Sequence, residues 1–203
     1  MNNEELRALE ERLEFEDIEL LGKRASARKR FEELQEQKRS LHSRGMSLAG
    51  VAQELQDAGL EDEANSAYEK AGDAYRQAAI ESVDPESSQW ESVPIVERRL
   101  WKPERKAEFF CKAGNAYKRA YLGEDAEEAY SLAAQAFLYR GMWDRAQRLF
   151  KDGKVAVKDA PEVLRRAKDR LVAKAANENY SQPKGEADCL QRIEQLLDFM
   201  PQA

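Results

Sequence analysis

The sequence predicts an all-α fold: antiparallel helical hairpins stacked in an array, preceded by an N-terminal helical arm. The first observation behind this is a small-and-aromatic pattern at helical spacing. Ala64, Ala67, Tyr68, Ala71, Gly72, Ala74 and Tyr75 are matched 62 residues later by Ala126, Ala129, Tyr130, Ala133, Ala134, Ala136 and Phe137. A shorter copy, 42 residues after the first, runs through Phe110, Ala113, Gly114, Ala116 and Tyr117, and Ala146, Leu149, Phe150, Ala156 and Val157 echo the second at an offset of 20. The second observation is composition: 35% of the 203 residues are charged and only 10 are Gly and 6 Pro, a balance that favours long helices with few turns. Recurrence of a supersecondary unit is the signature of a stacked helical array.

Ala or Gly at i, i+3, i+4 and i+7 strips side chains from one helix face, so the next helix can approach to the short end of the roughly 8–10 Å interaxial range. The aromatic at the edge of that face then fills the next groove, burying on the order of 150–250 Å² per ring. An ordinary amphipathic bundle of Ala-rich helices is the plainer reading, but a bundle does not require the whole register to repeat.

Residues 1–45 form the arm and 46–203 the array. Residues 3 to 44 contain no proline and segregate charge: Glu4, Glu5, Glu10, Glu11, Glu14, Glu16, Asp17 and Glu19 precede Lys23, Arg24, Arg28, Lys29, Arg30, Lys38, Arg39 and Arg44. A bend near Gly22 would fold these halves into a hairpin with opposite charges facing, and this is the expected arrangement. An unbent chain would give one helix of about 60 Å at ~1.5 Å per residue. Ser47 is the expected N-cap of a short helix ending at Ala58-Gly59, with Gly59 making a left-handed turn into a helix from about Glu61 to Glu81. Residues 82–103, with three prolines and two tryptophans, interrupt the array as an irregular insertion. Helices are expected at about 104–121, 124–140 and 142–158, with turns at Gly123 and Gly141, and Pro161 and Pro183 suit the first turns of two last helices, 161–178 and 184–199.

A net charge of -6 argues against a nucleic-acid surface spread over the whole molecule. The two cysteines, Cys111 and Cys189, offer no disulfide framework. No secretory signal or membrane span is read, so a cytoplasmic setting is expected. One histidine, His42, no glycine-rich phosphate loop, no metal-spaced Cys/His cluster and no nucleophile elbow leave no catalytic constellation. No enzyme, cofactor or metal is therefore expected. Carboxylate pairs such as Glu127 and Glu128 read as solvated surface.

Leu34, Leu41, Leu48 and Leu55 are spaced by seven behind the basic run KRASARKR, as in a basic leucine zipper. A zipper needs a second apolar position in every heptad, and here Lys38, Gly45 and Ala52, or Gln37, Arg44 and Val51, stand there. Phosphate contact by the basic helix, residues 23–44, remains the alternative function, that of a nucleic-acid-associated accessory domain. The plainer reading is a solvated face paired with the acidic half, and self-association through residues 1–45 is a further option. Trp90 and Trp101 in the insertion either bind a partner or cover the gap beside Phe109-Phe110.

The run AGNAYKRA (Ala113 to Ala120), the stretch from Glu124 to Lys154, and AGDAYRQAA (Ala71 to Ala79) resemble the tetratricopeptide-type hairpins of the soluble NSF attachment proteins. The turn Gly141-Met142-Trp143-Asp144-Arg145-Ala146 is similar to the inter-repeat turn of tetratricopeptide repeats. The resemblance covers roughly residues 58 to 157 and is specific to the repeat class. It implies a TPR-like, right-handed α-α superhelix acting as an interaction scaffold or adaptor. The acidic, leucine-ending tail of the attachment proteins has no counterpart in the PQA ending, so membrane-fusion machinery is only weakly implied.

The function read is therefore non-catalytic protein-protein interaction, with a peptide or helix bound on the inner helices. Expected contact residues are Tyr75, Arg76, Asn115, Lys118, Arg119, Tyr139, Arg140 and Arg148, with Trp90 and Trp101 at the gap. Their basic members point to an acidic partner. Leu190, Ile193, Leu196, Leu197 and Phe199 leave room for a C-terminal contact within a larger assembly.

Overall fold

The computed structural model describes residues 3–36, 40–82, 102, 104–177 and 181–199. Among these the chain is all-α, with helices α1 (Asn3–Glu36), α2 (Leu41–Asp57), α3 (Glu61–Glu81), α4 (Arg105–Arg119), α5 (Gly123–Tyr139), α6 (Trp143–Lys151), α7 (Ala160–Ala175) and α8 (Lys184–Phe199). Each packs mainly on its neighbours: α1 on α2, α2 on α3, α3 on α4, α4 on α5, α5 on both α6 and α7, and α7 on α8. The insertion expected at 82–103, with Trp90 and Trp101, lies outside the described residues apart from Ser82 and Lys102.

The small-residue faces do what the spacing requires. Ala64, Ala67, Ala71, Ala79, Ala113, Ala129, Ala133 and Ala134 are each 2% exposed or less. Three glycines carry this further, because each is filled by a tyrosine ring from the following helix. A Cβ on Gly45 would stand 2.9 Å from the ring of Tyr75, on Gly72 2.5 Å from that of Tyr117, and on Gly114 2.7 Å from that of Tyr130.

The arm corrects the expected hairpin. The chain does not bend at Gly22; α1 is one helix through it. Its C-terminal half lies along α2 in antiparallel sense, burying Ala27 and Leu34. The Arg24 side chain donates to the Ala58 carbonyl at 2.8 Å, Arg28 pairs with Glu63, and Arg30 pairs with Glu54. Antiparallel charge pairing does hold the arm, but it runs from the basic half to the body and not to the acidic half. The leucine ladder is cut between Leu34 and Leu41 and shared by two helices, which rules out a continuous zipper.

The N-cap of α2 is Ser40, whose hydroxyl accepts from the Ser43 amide, and not Ser47, which lies inside the helix. The turns at Gly59 and Gly141 are left-handed as expected, with φ of 69° and 71°. The turn between α4 and α5 is not at Gly123, which begins α5; Tyr121 takes the positive φ, at 60°. The helix expected over 142–158 stops at Lys151, where Gly153 adopts a φ of 64°.

Candidate functional site

An open groove of about 680 Å³ lies where α2, α3 and α4 meet. Tyr68 and Tyr75, seven residues apart on one face of α3, line it together with Ala49 of α2 and Lys112, Asn115, Ala116, Lys118 and Arg119 of α4. Spacing explains the convergence: residues seven apart lie within about 20° on a helix of ~3.6 residues per turn. Tyr68 and Tyr75 thus share a stripe on α3, as Lys112 and Arg119 do on α4.

Hydrogen bonds fix the tyrosines and the cations together. The Tyr68 hydroxyl donates to Gln53 Oε1 at 3.1 Å and accepts from Arg119 Nη1 at 3.1 Å. Arg119 also donates to Gln53 Oε1 at 3.3 Å, and its guanidinium lies 5.3 Å from the Tyr68 ring centroid. At the other end Lys112 Nζ stands 3.1 Å from His42 Nε2 and 5.5 Å from the centroid of Tyr75. An ammonium has no acceptor, so Nε2 accepts and the imidazole is neutral in this contact. Burial, with the charges of Lys112 and Arg105 beside it, holds the pKa of His42 below the usual histidine range.

The groove therefore carries three cations, Lys112, Lys118 and Arg119, and none of its lining residues is acidic. Elsewhere cations sit on carboxylates: Arg28 on Glu63, Arg76 on Glu128, Arg145 on Glu108 and Lys174 on Glu186. No ion pair is formed by Lys112, Lys118 or Arg119 among the described residues. Tyr68 and Tyr75 are themselves only 1% and 6% exposed, so their rings hold Lys112 and Arg119 from beneath, and the open surface of the groove is that of the unpaired cations. Such a surface attracts carboxylates and other anions, and cation-π contact orients the donors over the rings.

Four expected contact residues, Tyr75, Asn115, Lys118 and Arg119, come together in this groove. Tyr139 and Arg140 line a separate cleft of about 210 Å³ with Ile80, Lys106, Phe110 and Arg170. Arg76 is engaged at 2.7 Å by Glu128, and Arg148 is exposed on α6 and lines neither cavity. Trp90 and Trp101 lie outside the described residues. Sequence reasoning missed Tyr68, Lys112, His42 and Gln53; the seven-residue spacing from Tyr75 and Arg119 was the signal for the first two.

The basic run considered for phosphate contact is largely engaged with protein. Lys23 pairs with Glu19, Arg24 with the Ala58 carbonyl, Arg28 with Glu63, Lys29 with Glu33 and Arg30 with Glu54. Among the described residues no group of three or more His, Cys, Asp or Glu side chains could hold a metal ion, and no helix is long and apolar enough to cross a membrane. Compared with family models, curated proteins and solved structures, the chain matches none of them.

Proposed function

We propose that the chain is a non-catalytic interaction scaffold, a TPR-like right-handed superhelix that binds an acidic helix or peptide of a protein partner in the α2–α3–α4 groove. The observation that carries this is the set of three cations, unpaired among the described residues, above Tyr68 and Tyr75 in a groove with no acidic lining residue. Repeated glycine notches and alanine faces support the superhelix, since they account for close stacking of α2 to α5. Two distant cysteines that form no bridge suit a reducing, cytoplasmic setting.

Carboxylates along a bound helix would meet Lys112, Lys118 and Arg119 in turn, while its apolar side chains lie along the alkyl stems of these cations. Charge-assisted contacts of this kind favour association rate and selectivity and weaken with salt. The test is fluorescence anisotropy with a labelled Glu-rich amphipathic helical peptide and its Lys-for-Glu counterpart. Binding should be confined to the acidic peptide, and Lys118→Glu with Arg119→Glu should weaken it at least about tenfold, a loss of ~1.4 kcal/mol, with helicity and melting unchanged. Equal binding of both peptides, or an unaffected double variant, would remove this groove as the site. An oligonucleotide that outcompetes the peptide would transfer the groove to nucleic acid.

A further inference from the structure

Resting on that reading of the groove, we infer that one occupant is the acidic half of α1 from a second copy of this chain, so that two copies exchange arms. Residues 4–19 hold eight carboxylates against two arginines, the strongest acidic segment that accompanies this cationic groove. Their backbone is already helical from Asn3, so no ordering of the segment is required on docking.

The arrangement of the arm fits this. Arg24 meets Ala58 at the C-terminal end of α2, and α1 runs antiparallel to α2, so residues 3–19 continue past the α2–α3 turn. That stretch is roughly 25 Å long at ~1.5 Å per residue, enough to follow the groove. By helical spacing Glu10, Glu11, Glu14, Asp17, Ile18 and Leu21 fall within an arc of about 120°; of the two arginines in residues 4–19, Arg12 falls opposite and Arg7, nearer the N-terminus, falls within it. Ile18 is 68% exposed and Leu21 61% exposed, although both are large and apolar. An acidic stripe running into an apolar one is complementary to the three cations of the groove and the alkyl stems that carry them.

The arm cannot reach the groove of its own copy. It is continuous through Gly22, and it rests on the face of α3 marked by Glu63 and Lys70, which is roughly 140° around the helix from Tyr68 and Tyr75. Docking is therefore between copies, and reciprocal exchange gives a closed two-fold dimer in which each arm fills the other groove.

Sedimentation of the full chain decides it. At low salt the mass should be twice 23.2 kDa, and it should fall to the monomer as salt rises. An arm variant (Glu10→Lys, Glu14→Lys, Asp17→Lys) and a groove variant (Lys112→Glu, Lys118→Glu, Arg119→Glu) should each be monomeric and helical alone. Mixed one to one they should recover the dimer mass, because each now presents the charge that the other lacks. A chain that is monomeric at low salt, or variants that stay dimeric alone or fail to pair when mixed, would overturn the exchange. A monomeric chain whose groove still binds the unrelated acidic peptide would sink the exchange and leave the groove reading standing; loss of both would sink both.

Discussion

The ring of Tyr117 on α4 lies across the backbone of Gly72 on α3, and its hydroxyl donates to the neighbouring Asp73 carboxylate at 2.8 Å. The same relation recurs one helix on, where Tyr130 covers Gly114 and donates to Asn115 Oδ1 at 2.7 Å. The motifs AGDAY and AGNAY thus have two halves. Gly-Asp or Gly-Asn receives a tyrosine from the following helix, and the tyrosine three residues after each glycine, Tyr75 or Tyr117, covers the glycine of the preceding one. At Gly45, which receives Tyr75, the next residue is Met46 and the polar half is missing. Most of the motif serves stacking, and Tyr75, Asn115 and Ala116 also border the groove.

This relation sets opposite signs for two glycine replacements. Gly72→Ala gains about 1 kcal/mol of helix propensity but drives a methyl to 2.5 Å from Tyr117 Cε1. Overpacking of that kind costs ~1–3 kcal/mol, so net destabilisation is expected. Gly50→Ala meets nothing within 4 Å on an exposed face of α2 and should stabilise by about 1 kcal/mol. Urea denaturation of the two variants checks both signs, and a stabilised Gly72→Ala would mean that the ring is not confined by the notch.

The buried tyrosines also predict alkaline sensitivity. Burial first, and the charge of a deprotonated Cys111 second, push Tyr130 up from 10.0 to about 12; burial and the hydrogen bond to Asp73 raise Tyr117 as well. Their folded pKa values exceed those of the unfolded chain, which therefore loses these protons first as pH rises. Stability from this source is complete below pH 10 and declines progressively through about pH 12. Tyr130→Phe should cost about 1 kcal/mol at neutral pH for its hydrogen bond and make the decline above pH 10 shallower. Denaturant midpoints across that range measure it, and an unchanged alkaline slope in the variant would exclude Tyr130 as a source.

The turns show how far the sequence carried. Gly59 and Gly141 were legible because each directly follows a helix C-cap and takes the left-handed conformation. Each closes a pair of bonds to the preceding turn, as in Leu60 N–H to the Leu55 carbonyl and Gly59 N–H to that of Gln56. After α4 the same pair is made by Leu122 to Tyr117 and Tyr121 to Lys118, with no glycine at the left-handed position. A glycine two residues later drew the expected turn to the wrong place. The groove was half legible for a similar reason: Asn115, Lys118 and Arg119 announce a polar helix face, whereas pairing that face with Tyr68 and His42 depends on how α2, α3 and α4 pack. The arm misled because opposite charges in sequence order suggest pairing with each other, whereas Glu63 and Glu54 were equally good partners for Arg28 and Arg30.

Tyr121 should therefore be an improvable position. Its φ of 60° is unfavourable for a residue with a Cβ, and its side chain is 81% exposed, so little packing offsets the strain. Tyr121→Gly removes a cost of ~1–2 kcal/mol for the left-handed conformation, less the greater entropy glycine has when unfolded. A rise in melting temperature is expected, and a fall would show that the ring makes a contact worth more than the strain.

The last two helices are joined by a buried pair whose removal should be strongly non-additive. Lys174 in the final turn of α7 lies 2.7 Å from Glu186 in the first turn of α8, and their side chains are only 7% and 5% exposed. Lys174 also sits 4.6 Å from the Tyr139 ring centroid on α5, so one ammonium ties three helices. Each charge is at the helix end whose dipole favours it. Lys174→Met takes the ammonium away from a buried carboxylate and should cost up to roughly 3–5 kcal/mol, with Glu186→Leu similar. The double variant replaces both charges by apolar groups and should recover most of that loss, because the cost of each single change is the stranded partner and not the missing attraction. Denaturant unfolding of the four proteins gives the coupling, and single variants that each cost under about 1 kcal/mol would mean that water reaches the pair and screens it.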